Sequence, residues 1–289
     1  MRYHQLKLAG ERRLAVEAEG TTHDLTSADP SLRRFGELAR AADLADTTVD
    51  ELATGLVDDA DAVADEQIDR NATVPVDASE VWAAGVTYGI SEQAREDESS
   101  KPDIYLDVYD AERPEIFFKA TPSRTVGPGD AVGIRGDSEW DTPEPELGIV
   151  LLNGDVVGYT IGNDVSSRSI EGQNPLYLPQ AKVYDRSCAI GPCVVSSESI
   201  ADPHDLEMSM SIYRDGDLVY EGTTNTGEMV RTCEELVSYY TRHNAVPELA
   251  VVLTGTSLVP ESPFDLQVDD QVEIEIEEIG TLANSVVQV

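Results

Sequence analysis

Two apolar runs meeting at a tight turn constrain this chain more than any other feature. Glu146–Leu152 and Val156–Gly162 are each long enough for a strand, and Asn153-Gly154 between them suits a turn with positive φ. The segment reads as an antiparallel hairpin buried in a sheet. Glu144 and Glu146 stand at its mouth, two residues apart and therefore on one face. Adjacent carboxylates repel unless a proton or cation lies between them. Hard divalent cations such as Mg²⁺ prefer such oxygen ligands. Asp164 closes the second strand. A loop of about three residues pairs Leu152 with Val156 and sets Asp164 opposite Glu144 on the same face. A two-residue loop sets it on the other face, unless a bulge or the strand end re-aims it. The competing reading is three more solvated acids in an acidic chain.

That acidity is extreme: 56 Asp plus Glu against 20 Lys plus Arg, a net charge of −36. Three readings compete, a disordered acidic chain, a cation-storage protein and adaptation to high salt. The apolar runs Leu147–Leu152 and Val251–Leu253 argue against disorder. Lysine usage favours salt adaptation, since Lys7, Lys101, Lys119 and Lys182 are the only lysines. Surface carboxylates keep a protein hydrated, while molar salt screens their repulsion over about 3 Å. The same charge argues against nucleic acid and anionic membranes as partners. No stretch approaches the roughly 18 apolar residues that span a bilayer. Met1–Leu8 reads as an amphipathic strand with no apolar leader core, so a cytoplasmic protein is expected. Cys188, Cys193 and Cys233 contain no C-x-x-C and read as reduced, buried thiols.

The expected fold class is α+β, mainly β: a small N-terminal α+β domain over residues 1–75 and a rolled, mixed β-sheet domain over 76–289. The first part carries strands near Arg2–Leu8 and Leu14–Glu19 and helices over Ser31–Leu44 and Val49–Leu56. Asp58–Asp77 reads as a linker or exposed edge. Further strands are expected over Val81–Val86, Ile116–Lys119, Cys193–Ser196, Leu206–Arg214, Val251–Thr254, Val272–Ile276 and Ala283–Val289. Helices are expected over Ile104–Ala111 and Gly227–His243.

In a chain so poor in lysine, Lys119 and Lys182 stand out. Each is either a snorkelling side chain over apolar surface or a functional cation. His4, His23, His204 and His243 have no neighbours that make a catalytic dyad, so a Ser-His-Asp or Cys-His hydrolase has no support. The glycine-rich nucleotide motifs are absent.

Five motifs in order resemble the fumarylacetoacetate hydrolase family over roughly residues 80–289. They are Pro114-Glu-Ile-Phe-Phe-Lys119, Glu144-Pro-Glu146, Asn163-Asp164, Lys182-Val-Tyr-Asp185 and Gly255-Thr256-Ser257. The resemblance implies that Glu144, Glu146 and Asp164 bind Mg²⁺ or Mn²⁺. It places Lys182 and Thr256 at the oxo-carboxylate end of a small 2-oxo acid. Lys119 and Ser91 are further candidate substrate contacts. Ser91 stands where hydrolytic members carry a water-activating His, in Thr87-Tyr88-Gly-Ile-Ser91-Glu92. That departure argues against C–C hydrolysis. Ser138-Glu-Trp, Pro143-Glu-Pro-Glu-Leu and Asn174-Pro-Leu-Tyr-Leu-Pro-Gln180 look like the branch that dehydrates 2-keto-3-deoxy-pentonates to 2,5-dioxopentanoate. Glu92, Glu115 and Lys182 are the candidate acid/base groups, their individual roles open. Alternatives are acylpyruvate hydrolysis, oxaloacetate decarboxylation, or a binding module without catalysis. The resemblance also suggests a homodimer or homotetramer.

Overall fold

The computed structural model describes residues 1–89, 108–109 and 111–289. Among these, one sheet of eleven strands organises the molecule. Across its width run β4 (Asp61–Val63), β3 (Thr21–Asp24), β2 (Glu11–Ala18), β1 (Arg2–Leu8), β13 (Cys188–Ser196), β11 (Asp155–Asp164), β10 (Pro145–Leu152), β16 (Leu249–Leu253), β5 (Glu80–Gly85) and β6 (Glu115–Ala120). β7 (Thr125–Val126) pairs in parallel with β13. A five-stranded sheet runs β15 (Asp217–Asn225), β14 (Glu207–Arg214), β17 (Gln271–Ile276), β18 (Gly280–Gln288) and β8 (Ala131–Ile134). β9 (Asp141–Thr142) and β12 (Ser166–Ser167) form a small ribbon.

β10 explains the layering. All eight of its residues are buried, as a strand covered on both faces requires. Leu147, Ile149 and Leu151 face a core shared with Met208, Met210, Ile274 and Ile276 of the second sheet. Val150 and Leu152 face the other core, where the helices Phe35–Leu44 and Val49–Val57 contribute Phe35, Leu38 and Val49. Helices, central sheet and second sheet thus make three layers. The N-terminal segment joins the large sheet directly, through Arg2↔Val195 and Tyr3↔Val194.

The mainly β, mixed architecture is as expected, with local differences. Asp58–Asp77 holds β4 and the helix Asp65–Asn71, which buries none of its residues and so left no apolar periodicity to read. The helix expected from Gly227 begins at Cys233, because Thr232 caps it by accepting the Glu235 N–H at 3.1 Å. β15 was not foreseen; its solvent-facing edge carries few apolar positions. The helix expected over Ile104–Ala111 falls mostly outside the described residues. None of the described helices is long and apolar enough to cross a membrane.

Candidate active site

The β10–β11 hairpin closes through two residues, with Leu152 paired to Asp155 and positive φ at Asn153 (52°) and Gly154 (94°). Such a loop alone would point Asp164 the wrong way. A register shift corrects it: Leu151 pairs with Val156 but Val150 with Gly158, leaving Val157 as the extra residue. Glu146 then meets Gly162 and Pro145 meets Asn163. The Asp164 N–H donates to the Glu144 carbonyl at 2.9 Å. Glu144, Glu146 and Asp164 converge, each offering an oxygen within 4.8 Å of the others, all buried.

Cations surround this cluster. Lys182 Nζ lies 2.9 Å from Glu144 Oε2 and 3.0 Å from Asp164 Oδ2, and 5.5 Å from the centre of the Phe117 ring. Arg168 Nη2 lies 3.2 Å from Glu144 Oε1 and its Nη1 4.0 Å from Glu171 Oε2. Lys119 is fully buried beneath the site. Its ammonium pairs with Asp164 Oδ1 and donates to the carbonyls of Val165 (2.9 Å) and Lys182 (2.5 Å). Expected against substrate, Lys119 instead spends its donors on Asp164 and on the backbone that carries Lys182.

Glu146 is anchored from the other side by the Gly255 N–H at 2.7 Å. Gly255 has φ +80°, and a Cβ there would sit 2.8 Å from the Ala84 carbonyl and 2.2 Å from Thr87 Oγ1. Only glycine lets the backbone come this close. Thr256 lines the pocket, its Oγ1 accepting from the Leu258 N–H at 3.0 Å. Glu115, Glu171 and Phe117 complete the wall. Ser91 and Glu92 lie outside the described residues.

The electrostatics follow from burial and neighbours. Burial alone would raise the Glu144 pKa, but Lys182 and Arg168 outweigh it and hold the carboxyl down at about 2. Glu146 goes the other way: burial, then Asp164 and Glu144, push its pKa well above the usual range. For Lys182, burial favours the neutral amine, but Asp164 and Glu144 prevail and keep it an ammonium. Glu115 is raised to about 7, chiefly by burial and then by Glu171. Fully ionised, the five carboxyl groups around the pocket (Glu115, Glu144, Glu146, Asp164, Glu171) would outnumber the three cations (Lys119, Lys182, Arg168) by two charges, an excess that the raised pKa of Glu146 relieves. An all-carboxylate ligand set with Glu146 unable to stay charged on its own fits a hard divalent cation.

Arg168 and Glu171 were not singled out from sequence. They sit on the short helix Arg168–Gln173, whose six residues carry no readable periodicity.

Comparison with known proteins bears on the same region. Residues 81–287 match the fumarylacetoacetate (FAA) hydrolase C-terminal family. The chain is 72% identical over 289 residues, the full length of both, to a probable 2-keto-3-deoxyxylonate dehydratase of Haloferax volcanii. It is 46% identical over 223 residues, 75% of each chain, to a 2-dehydro-3-deoxy-D-arabinonate dehydratase of Saccharolobus solfataricus. A solved structure of 2-keto-3-deoxy-D-arabinonate dehydratase complexed with magnesium and 2,5-dioxopentanoate superposes with a TM-score of 0.83. It shares 36% identity and covers 100% of this chain and 99% of that one.

Proposed function

The chain belongs to the fumarylacetoacetate hydrolase family, and we propose that it is a magnesium-dependent hydro-lyase that converts 2-keto-3-deoxy-D-pentonate to 2,5-dioxopentanoate and water. The observation that carries this reading is the buried convergence of Glu144, Glu146 and Asp164 beside Lys182. The relatives that align along the chain are named for this dehydration. A structural neighbour is described with magnesium and the product.

Glu144, Glu146 and Asp164 would hold the ion. Bound there, it supplies a Lewis acid that polarises the 2-oxo group and acidifies the C3 protons. Lys182 has three N–H donors. Two are committed to Glu144 and Asp164, which leaves one for the oxo-carboxylate end of the substrate. Thr256 accepts from Leu258 and keeps its own hydroxyl proton to donate. Glu115 lines the pocket near neutrality, where a carboxylate is both available and basic enough to remove a C3 proton. The same proton passes to the C4 hydroxyl, which departs as water and leaves a C3–C4 double bond. A proton shift from C5 to C3 moves that bond to C4–C5, and the resulting enol ketonises to the C5 aldehyde. No water needs activation, in keeping with Ser91 in place of a histidine.

All the pocket residues named here lie beyond residue 80 and the family match begins at 81. That supports a catalytic unit over 76–289 with residues 1–75 as an N-terminal addition. The −36 charge suits a salt-rich cytoplasm, and the family resemblance suggests a homodimer or homotetramer. The test is to incubate the protein with Mg²⁺ and 2-keto-3-deoxy-D-pentonate and follow the aldehyde through a coupled dehydrogenase. Absence of aldehyde together with rapid hydrolysis of an acylpyruvate would overturn the assignment.

A further inference from the structure

Gly85 ends β5 and pairs directly with Glu115, the first residue of β6. Side chains of directly paired residues share a face with their Cβ atoms about 5 Å apart. Here one of the two has no side chain, and the other occupies its place. A Cβ on Gly85 would lie 2.1 Å from Glu115 Oε2, 2.9 Å from its Cδ and 3.5 Å from its Cγ. The carboxyl group therefore folds back over the Gly85 α-carbon. The backbone of Gly85 does not lie in the left-handed region, so conformational freedom is not what glycine provides here. Both residues line the same pocket as Glu144, Glu146 and Lys182.

We propose that Gly85 is a positioning residue, whose missing side chain seats the Glu115 carboxylate against the reacting carbon. The proposal rests on the reading of Glu115 as the base. An alanine at 85 leaves the strand intact, because the atoms it meets belong to the far end of a flexible side chain. Glu115 must then swing away from its seat. A displacement of about 1 Å in a catalytic group costs on the order of 100-fold in rate.

The experiment is a double-mutant cycle on the full-length, magnesium-loaded protein with Gly85→Ala and Glu115→Gln. The readouts are kcat, KM, magnesium affinity by calorimetry and Tm. Gly85→Ala is expected to lower kcat on the order of 100-fold, with KM, magnesium affinity and Tm nearly unchanged. In the Glu115→Gln background it is expected to cost nothing further. Wild-type kcat in Glu115→Gln would remove the reading of Glu115 as the base. An inactive Glu115→Gln with a fully active Gly85→Ala would remove the positioning role alone, as would a full additional loss in the double variant. If Gly85→Ala does not fold, Gly85→Ala/Glu115→Ala decides. Recovery of folding there places the clash at Glu115, and failure to recover overturns the proposal.

Discussion

The sequence contains the same three-residue pattern on two strands with opposite outcomes. β10 is entered through Glu144-Pro-Glu146, and β17 carries Glu273-Ile-Glu275. In each, the period of two puts both carboxylates on one face. In β17 exposure alternates strictly, with Val272, Ile274 and Ile276 buried and the glutamates in solvent beside Ser209, Ser211, Thr281 and Ala283. In β10 every residue is buried, so the acids are buried too. Spacing decides that two side chains share a face; the flanking residues decide whether that face is wet. In water, unit charges 4 Å apart interact by only about 1 kcal/mol. A buried carboxylate needs a counter-charge, a proton or a metal, and β10 provides the first through Lys182 and Arg168.

The sharpest test of this contrast removes one carboxylate from β10. Glu146→Gln is expected to lower turnover by about 100- to 1000-fold, the scale of losing one electrostatic element of an active site. Magnesium binding, measured by calorimetry, should weaken with it. Removing the ion with EDTA should likewise abolish turnover. Far-UV circular dichroism should persist in both cases, because the apolar contacts of Leu147, Ile149 and Leu151 do not involve the site. Unchanged magnesium affinity in Glu146→Gln would mean that the buried carboxylates are structural.

The hairpin was legible because Asn153-Gly154 and its two apolar flanks agree with one another. The bulge at Val157 was not, since nothing in Val156-Val157-Gly158 marks the extra residue; from sequence a three-residue loop, a bulge and the strand end all serve equally to bring Asp164 round. Scarcity drew attention to Lys119 and Lys182, and both are buried at the site. Sequence does not show that the acceptors of Lys119 are the carbonyls of Val165 and Lys182. Those partners come together only through the fold, and they make Lys119 a support for Asp164 rather than a substrate contact. The roles of Gly85 and Gly255 were hidden for a related reason, because each depends on a close approach between segments distant in sequence.

The exposed carboxylates should matter collectively. Lowering the salt from molar to about 0.01 M lengthens the screening distance from about 3 to 30 Å, and the −36 charge then repels itself. Tm is expected to fall by about 10 °C or more, at 2–4 °C per kcal/mol for a chain of comparable size. A Tm independent of KCl would remove the salt-adaptation reading. His4 tests the buried class away from the site. Burial lowers its pKa from 6.5 to about 4, against the opposing pull of Glu17. The unfolded chain therefore binds the proton first. The stability of neutral His4 is complete above pH 6.5 and declines as pH falls through the window to about 4, by at most about 3 kcal/mol. His4→Gln should flatten that part of the profile in denaturant titrations; an unchanged slope from pH 6.5 to 4 would assign the acid sensitivity elsewhere.

The smallest expected effect belongs to the exposed pair. Glu273→Gln or Glu275→Gln removes a charge whose neighbours across both paired strands are neutral. In molar salt each change should shift stability by no more than about 0.5 kcal/mol, as for other surface substitutions, and leave turnover and magnesium affinity untouched. In low salt the sign becomes informative. Removing one of two like charges on the same face relieves repulsion that is no longer screened, so the variant should be slightly more stable than the parent. That gain should vanish as KCl is added. A loss of stability in low salt would show that these glutamates make specific contacts, and the contrast between the two strands would then rest on partners rather than on burial.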